Sequence, residues 1–302
     1  MLDEILKILP DNISNEIRNI GTSGNFNEIR LRVGKHGIVV VADIEVYLSC
    51  IVTLNDLLEI LIKVSKNSLY AIQNDINNGF TVIKGGHRIG ICGEVVVENE
   101  NGVIKNIKNI NSMNIRVARQ VIGCADKVIK YIIKDGKCQN TLIVSPPGCG
   151  KTTLLRDVIR QLSSGVESLG FRGVNVGVVD ERGEIASCFN GIINVDLGLR
   201  TDVMSNCKKS DGINMLVRSM GINVIATDEI GKNEDIDAIR YATLSGVKLV
   251  FTMHGKDIED IKLKEGVSKM LHDRLFDIVI VLTNKPKVGT IEKIHELGGH
   301  IW

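Results

Sequence analysis

Polar and apolar residues alternate over residues 28–33, Glu-Ile-Arg-Leu-Arg-Val, which predicts a half-buried strand with Arg30 and Arg32 on its wet face. A turn over residues 34–37, glycine at each end, leads into a second apolar run, 38–48. Thr53 is placed to cap a helix in which Leu54, Leu57, Leu58, Leu61 and Val64 recur at helical spacing. A shorter helix is expected over 68–78, then strands over 80–84, 88–98 and 103–116, separated by Gly-Gly and Asn-Gly turns. This first region reads as α+β with antiparallel neighbours. From about residue 120 the pattern changes to short apolar strands, at 141–144, 174–179, 223–226, 248–251 and 278–282, with helical stretches between most of them. That alternation predicts a doubly wound, mainly parallel sheet. The expected division is an α+β domain over 1–120 and an α/β domain over 121–302.

Composition narrows the functional classes. Lys plus Arg number 37 against 36 Asp plus Glu, so the net charge of +1 creates no global field for nucleic acid or an anionic membrane. The seven cysteines are scattered, with no C-x-x-C pair and no histidine at metal-ligand spacing, and read as reduced thiols of a cytosolic protein. Early acids in Met1-Leu-Asp-Glu argue against a signal peptide, and no run approaches 18 apolar residues, so any membrane role is expected to be peripheral.

The chemistry concentrates in the second region. Ser145-Pro-Pro-Gly-Cys-Gly-Lys-Thr152 follows a predicted strand and opens a predicted helix over 153–162, the setting a phosphate loop requires. The loop residues Pro147, Gly148, Cys149, Gly150, Lys151, Thr152 and Thr153 are expected to surround a triphosphate at the positive helix end, with the backbone N–H groups from Gly148 onward as donors. Lys151 is expected to reach the β- and γ-phosphates of ATP, and the Thr152 hydroxyl to hold Mg²⁺. Ser145 departs from the motif, which has glycine there.

Three further strand ends carry candidate groups. Asn223-Val-Ile-Ala-Thr-Asp-Glu-Ile230 ends in Asp228, expected to hold Mg²⁺ through a water, and Glu229, expected to orient the attacking water. Val178-Val-Asp-Glu-Arg182 ends in a second acidic pair, Asp180-Glu181. Either Glu181 or Glu229 can serve as the base; Glu229 is favoured because metal binding and water orientation then share one strand end. Phe251-Thr-Met-His254 ends a further strand in a histidine, expected on the same sheet edge.

The order of phosphate loop, Asp180-Glu181 box, Asp228-Glu229-Ile230 and Thr252-Met-His254 resembles the ATPases of type II and type IV secretion systems and the pilus motors. That resemblance implies a RecA-like P-loop ATPase core, with the acidic boxes and the histidine lining one nucleotide site, in a homo-oligomeric ring, a hexamer. Glu28-Ile-Arg-Leu-Arg-Val-Gly34, Gly85-Gly-His-Arg-Ile-Gly-Ile-Cys-Gly93, Leu199-Arg-Thr-Asp202 and Asp228-Glu-Ile-Gly231 resemble, more narrowly, the stage III sporulation AA family of spore-forming Firmicutes. The narrower resemblance implies a cytoplasmic ATPase of the mother cell, serving a membrane-embedded channel or secretion-like complex. Two departures stand out. Asp228-Glu229 occupies the place of the usual Gly-Glu, and no tetracysteine zinc motif is present, so Mg²⁺ is the metal carried over.

Competing readings have their own markers. A GTPase would use Asp228-Glu-Ile-Gly231 and Asn284-Lys285, but Lys287 stands where the guanine-reading carboxylate belongs. A nucleic-acid-dependent RecA-like motor would need a phosphate-binding patch, for which Arg30, Arg32, Arg88, Arg116 and Arg119 are the candidates; with 4% aromatics and no basic footprint, no nucleic-acid partner is expected. A scaffold that binds nucleotide without hydrolysing it is disfavoured by the presence of both Glu181 and Glu229. The core has few arginines near the predicted site, so an arginine of the N-terminal region, Arg88 or Arg32, is expected to complete the site of a neighbouring subunit.

Overall fold

The computed structural model describes residues 2–21, 26–42, 44–66, 68, 72–97, 104–118, 120–189, 191–231 and 233–297. The chain forms two compact units. One comprises Met1–Arg119 together with Ser187–Asn194, and the other Gln120–Ala186 with Val195–Trp302.

In the first unit α1 (Leu2–Ile8) and α2 (Asp11–Ile20) precede β1 (Phe26–Arg32), β2 (His36–Val41) and β3 (Ile44–Ile51). Then follow α3 (Leu54–Val64), α4 (Gln73–Asn77), β4 (Phe80–Ile83), β5 (His87–Val97) and β6 (Ile104–Arg116). The six strands form an antiparallel sheet in the order β3-β2-β1-β6-β5-β4. Ile29, Leu31, Val39, Ile89 and Ile115 on one face meet Ile5, Ile13, Ile17, Leu57 and Ile60 of the helices in a single core. Arg30 and the exposed Arg32 lie on the other face of β1, as the alternation requires. At the sheet edge, Glu16 of α2 accepts the backbone N–H groups of Ser49 (2.6 Å) and Cys50 (3.0 Å), which satisfies two amides of β3.

Three local expectations change. The apolar run 38–48 is two strands rather than one, with Val41 opposite Ile44 across a tight hairpin. Thr53 does cap α3 as expected, through a reciprocal capping box with Asp56, whose N–H lies 3.2 Å from the Thr53 hydroxyl. The buried stripe of α3 is centred on Leu57, Ile60 and Leu61, leaving Leu54 and Leu58 50% and 44% exposed. Of the expected helix 68–78, α4 forms the latter part, while residues 69–71 lie outside the described residues, as do 103 and Arg119.

The second unit opens with α5 (Ile129–Ile132) and the small hairpin β7 (Ile133–Lys134) and β8 (Lys137–Cys138). The principal elements are β9 (Thr141–Ser145), α6 (Lys151–Ser164), β10 (Val176–Asp180), β11 (Thr201–Ser205), α7 (Lys209–Ser219) and β12 (Val224–Thr227). They continue with α8 (Asn233–Leu244), β13 (Lys248–His254), α9 (Ile258–Lys262), α10 (Glu265–His272), β14 (Ile278–Thr283) and β15 (Thr290–Glu296). The sheet order is β11-β10-β12-β13-β9-β14-β15, parallel throughout except for β15, which runs antiparallel to β14. Every residue of β9, β10 and β12 is buried, which is why these strands read as unbroken apolar runs.

Candidate active site

Parallel strands deliver their carboxyl ends to one edge of the sheet, and four of those ends carry the residues singled out above. The register sets Ser145 of β9 beside His254 of β13, Phe251 of β13 beside Thr227 of β12, and Thr227 beside Val179 of β10. Asp228-Glu229 and Asp180-Glu181 therefore lie at the ends of the strands two and three places from the phosphate-loop strand, with His254 on β13 between them and it.

Gly150 caps α6 in the left-handed conformation (φ 85°), so that the helix starts at Lys151. Pro146, Pro147 and Gly148 are exposed, Thr152 and Thr153 are half-buried, and Cys149 is buried. Lys151 is 6% exposed. Its ammonium donates to the carbonyl oxygens of Ser145 (3.0 Å) and Pro146 (3.2 Å), to the Ser145 hydroxyl (3.3 Å) and to His254 Nδ1 (3.0 Å). Burial pushes its pKa down, opposed by the negative charge of Glu229. Ser145, the departure from the motif, thus holds the lysine from both backbone and side chain.

Beyond the lysine the polar groups form a chain. His254 Nε2 lies 2.7 Å from Glu229 Oε1, and Arg182 Nη1 donates to Glu229 Oε2 at 3.1 Å. A lysine ammonium has no lone pair, so His254 accepts at Nδ1 and donates from Nε2. Glu229 itself is left-handed (φ 47°), and its N–H is held by the Thr252 hydroxyl at 3.0 Å. The next amide, Ile230 N–H, bonds to the Thr252 carbonyl at 3.0 Å, so the backbone at Glu229 is fixed to β13.

The two acidic boxes divide their labour. Asp180, fully buried, accepts the N–H groups of Glu184 and Ala186, both at 2.8 Å, and shapes the turn after β10. Arg156 of α6 donates to the carbonyls of Glu184 and Ile185 at 2.6 and 2.9 Å and holds the same turn from the helix side. Glu181 forms an ion pair with the buried Lys209 at the start of α7. The structure therefore joins Lys151, His254 and Glu229, and places Glu181 on a different cation. Asp228 is 2% exposed, and burial, followed by the neighbouring Asp180, pushes its carboxyl up to about 7.

The expectation of an arginine-poor core site is corrected, because Arg182 sits on Glu229 and Arg156 braces the turn beside it. Its sequence signal was present, directly after Asp180-Glu181. Lys209 gave no such signal, since it follows β11, a strand the hydrophobic pattern did not show. Arg88 lies within β5, as the expected strand over 88–98 requires, with its guanidinium 3.7 Å from the centre of the Phe80 ring.

The family described as sporulation stage III, protein AA, matches residues 2–301. A protein of Bacillus subtilis (strain 168) named stage III sporulation protein AA is 36% identical over 302 residues, covering 99% of this chain and 97% of its own. Among solved structures, the ATPase DotB of Yersinia pseudotuberculosis is similar with a TM-score of 0.61 at 12% identity, covering 91% of this chain and 75% of that one. The pilus retraction motor PilT, solved with bound ADP, gives a TM-score of 0.59 at 15% identity, over 88% and 76% of the two chains. These likenesses, with the parallel sheet, show the expected fold, a RecA-like α/β core.

Proposed function

We propose that this chain, which belongs to the sporulation stage III protein AA family, hydrolyses ATP with Mg²⁺ to drive or assemble a secretion-like membrane channel complex during sporulation. The observation that supports this most strongly is the convergence of Lys151, His254 and Glu229 beside one strand-to-helix loop, linked at 3.0 and 2.7 Å. Backbone amides from Gly148 to Thr153 and the positive end of α6 bind the phosphates, with Pro147 shaping the loop ahead of them, and Lys151 exchanges its carbonyl partners for phosphate oxygens.

Glu229 is the base that orients the attacking water. His254 contacts both the phosphate-binding lysine and that carboxylate, so it senses whether phosphate is bound. Glu181, neutralised by Lys209, supports the site rather than taking the proton. The Thr152 hydroxyl and Asp228 fit Mg²⁺: a carboxyl raised to about 7 by burial and a second acid is one that a nearby cation would stabilise in its charged form. When bound, Mg²⁺ neutralises charge on the β- and γ-phosphoryl oxygens.

The active form is proposed to be a homo-oligomeric ring, a hexamer, in which Arg88 or Arg32 of one subunit completes the next subunit's site. It works in the mother-cell cytoplasm against membrane-embedded channel proteins. No helix among the described residues is long and apolar enough to cross a membrane.

The test is Lys151→Ala, measured for ATP binding, turnover and thermal melting. Turnover is expected to fall to background while cooperative melting persists. Turnover at the wild-type rate in a folded variant would sink the proposal.

A further inference from the structure

The arginine beside the base has no part in the scheme above, yet it occupies one of the base's two oxygens. Glu229 receives His254 Nε2–H on Oε1 and Arg182 on Oε2, at 2.7 and 3.1 Å. A carboxylate with a donor on each oxygen, one of them cationic, is oriented toward those donors rather than toward a water. We infer that Arg182 is a positioning residue that holds Glu229 in an idle pose, and that occupation of the phosphate loop frees the carboxylate by drawing Lys151 away from His254. The inference rests on the ATP-hydrolysis reading and deepens it.

Geometry limits what can move. The backbone at Glu229 is pinned by the Thr252 hydroxyl and the Ile230 N–H bond. On the opposite side, Asp180 and Arg156 hold the turn that carries Arg182. Both backbones are held by hydrogen bonds, so the change is assigned to side-chain rotamers. Arg182 and Glu229 are suited to it, with side chains 60% and 29% exposed.

The chain also explains how phosphate binding reaches Glu229. Lys151 donates to His254 Nδ1, which fixes the imidazole with its proton on Nε2, facing Glu229. A lysine that turns to phosphate leaves Nδ1 without its donor, and the ring is no longer held against the carboxylate. Arg182 is then the one remaining restraint, and it is an exposed pair that salt screens. The restraint therefore sets how readily the base engages, without changing how tightly nucleotide binds.

The experiment is ATP hydrolysis by the full chain, in single-turnover and steady-state modes, for wild type, Arg182→Gln, Arg182→Lys and Lys151→Ala. It is run at low salt and at about 0.5 M, where the screening length is only a few ångström. Arg182→Gln should raise the single-turnover rate and kcat roughly two- to fivefold, the scale of an exposed ion pair, with KM unchanged. Arg182→Lys, which keeps the charge, should return most of the restraint. High salt should accelerate wild type by a similar factor and leave Arg182→Gln unmoved. An Arg182→Gln rate equal to or below wild type, or an equal salt response in both, overturns the inference. If wild type itself shows no turnover above Lys151→Ala, the hydrolysis reading falls and the restraint with it. If wild type turns over, Lys151→Ala does not, and Arg182→Gln is unmoved, the restraint alone is lost.

Discussion

At the residue scale the site separates two carboxylates by their surroundings. Asp228 is buried beside Asp180, with Glu184 and Glu229 adding negative potential and Lys209 opposing it, and its pKa is raised from 3.8 to about 7. Between those values the folded chain keeps a proton that the unfolded chain has lost, so this group's contribution to stability declines as pH rises through that window. Asp228→Asn removes the penalty. The variant should therefore gain on wild type between about pH 4 and pH 7, by no more than roughly 4 kcal/mol. Urea unfolding of both proteins without nucleotide, at the two ends of that range, checks it; a difference that does not change with pH would show that the burial cost is met in another way. Glu229 differs in being linked to the lysine through His254. Glu229→Gln keeps the shape but cannot accept a proton, so nucleotide affinity should persist while turnover falls about 10²- to 10⁴-fold. Glu181→Gln, which disrupts the pair with Lys209, should cost much less. A reversed order in the two rates would move the base to the other acidic box.

Many elements were legible in the sequence where burial is one-sided or complete, although the amphipathic α1 and α2 were not read. Thr53 and Asp56 announced the start of α3, and the fully buried β9, β10 and β12 announced a parallel sheet. What else escaped lies at the margins. β11 and β15 are the outer strands of their sheet and are only half-buried or exposed, so neither needs an apolar run. The hairpin between β2 and β3 was hidden because both strands are apolar and the turn is tight. Ion pairs such as Arg182 with Glu229 depend on which strand ends become neighbours, which no local pattern states. The Gly85-Gly86 turn between β4 and β5 was visible as a turn, but its reason was not. A Cβ at Gly86 would lie 2.4 Å from the Ser187 Cβ, and the neighbouring Gly85 N–H is bonded to Asn194 Oδ1 at 3.1 Å. Gly34 shares the same φ of +76° but has nothing within 4 Å of such a Cβ. Gly34→Ala should thus cost roughly 1–2 kcal/mol from backbone strain alone, and Gly86→Ala a further 1–3 kcal/mol from the clash. Denaturant midpoints for the pair check this; equal losses would mean that Ser187–Asn194 yields without cost.

At the scale of the whole molecule, the chain passes between its two compact units three times, at 119/120, 186/187 and 194/195. The arginines of the first unit and the phosphate loop of the second thus belong to different units of one polypeptide. Within the core the available arginines are engaged: Arg182 on Glu229, and Arg156 on the carbonyls of Glu184 and Ile185. The shared-site proposal is that a cation for the developing charge on the γ-phosphoryl group comes from a neighbouring subunit. Arg32 is exposed at the end of β1, and Arg88 is stacked on the Phe80 ring, which narrows its range of rotamers. Supplied by a neighbouring subunit, such an arginine accelerates hydrolysis by about 10³ to 10⁵. Arg32→Ala or Arg88→Ala should therefore abolish turnover while leaving ATP binding intact. Mixing that variant with Lys151→Ala should restore part of the activity, because some interfaces in a mixed ring pair an intact loop with an intact arginine. Turnover followed across a range of mixing ratios, at concentrations where assembly is shown by mass, reads the effect directly. Arginine variants that are fully active alone would end the shared-site mechanism, and so would mixtures that assemble but stay inactive at every ratio.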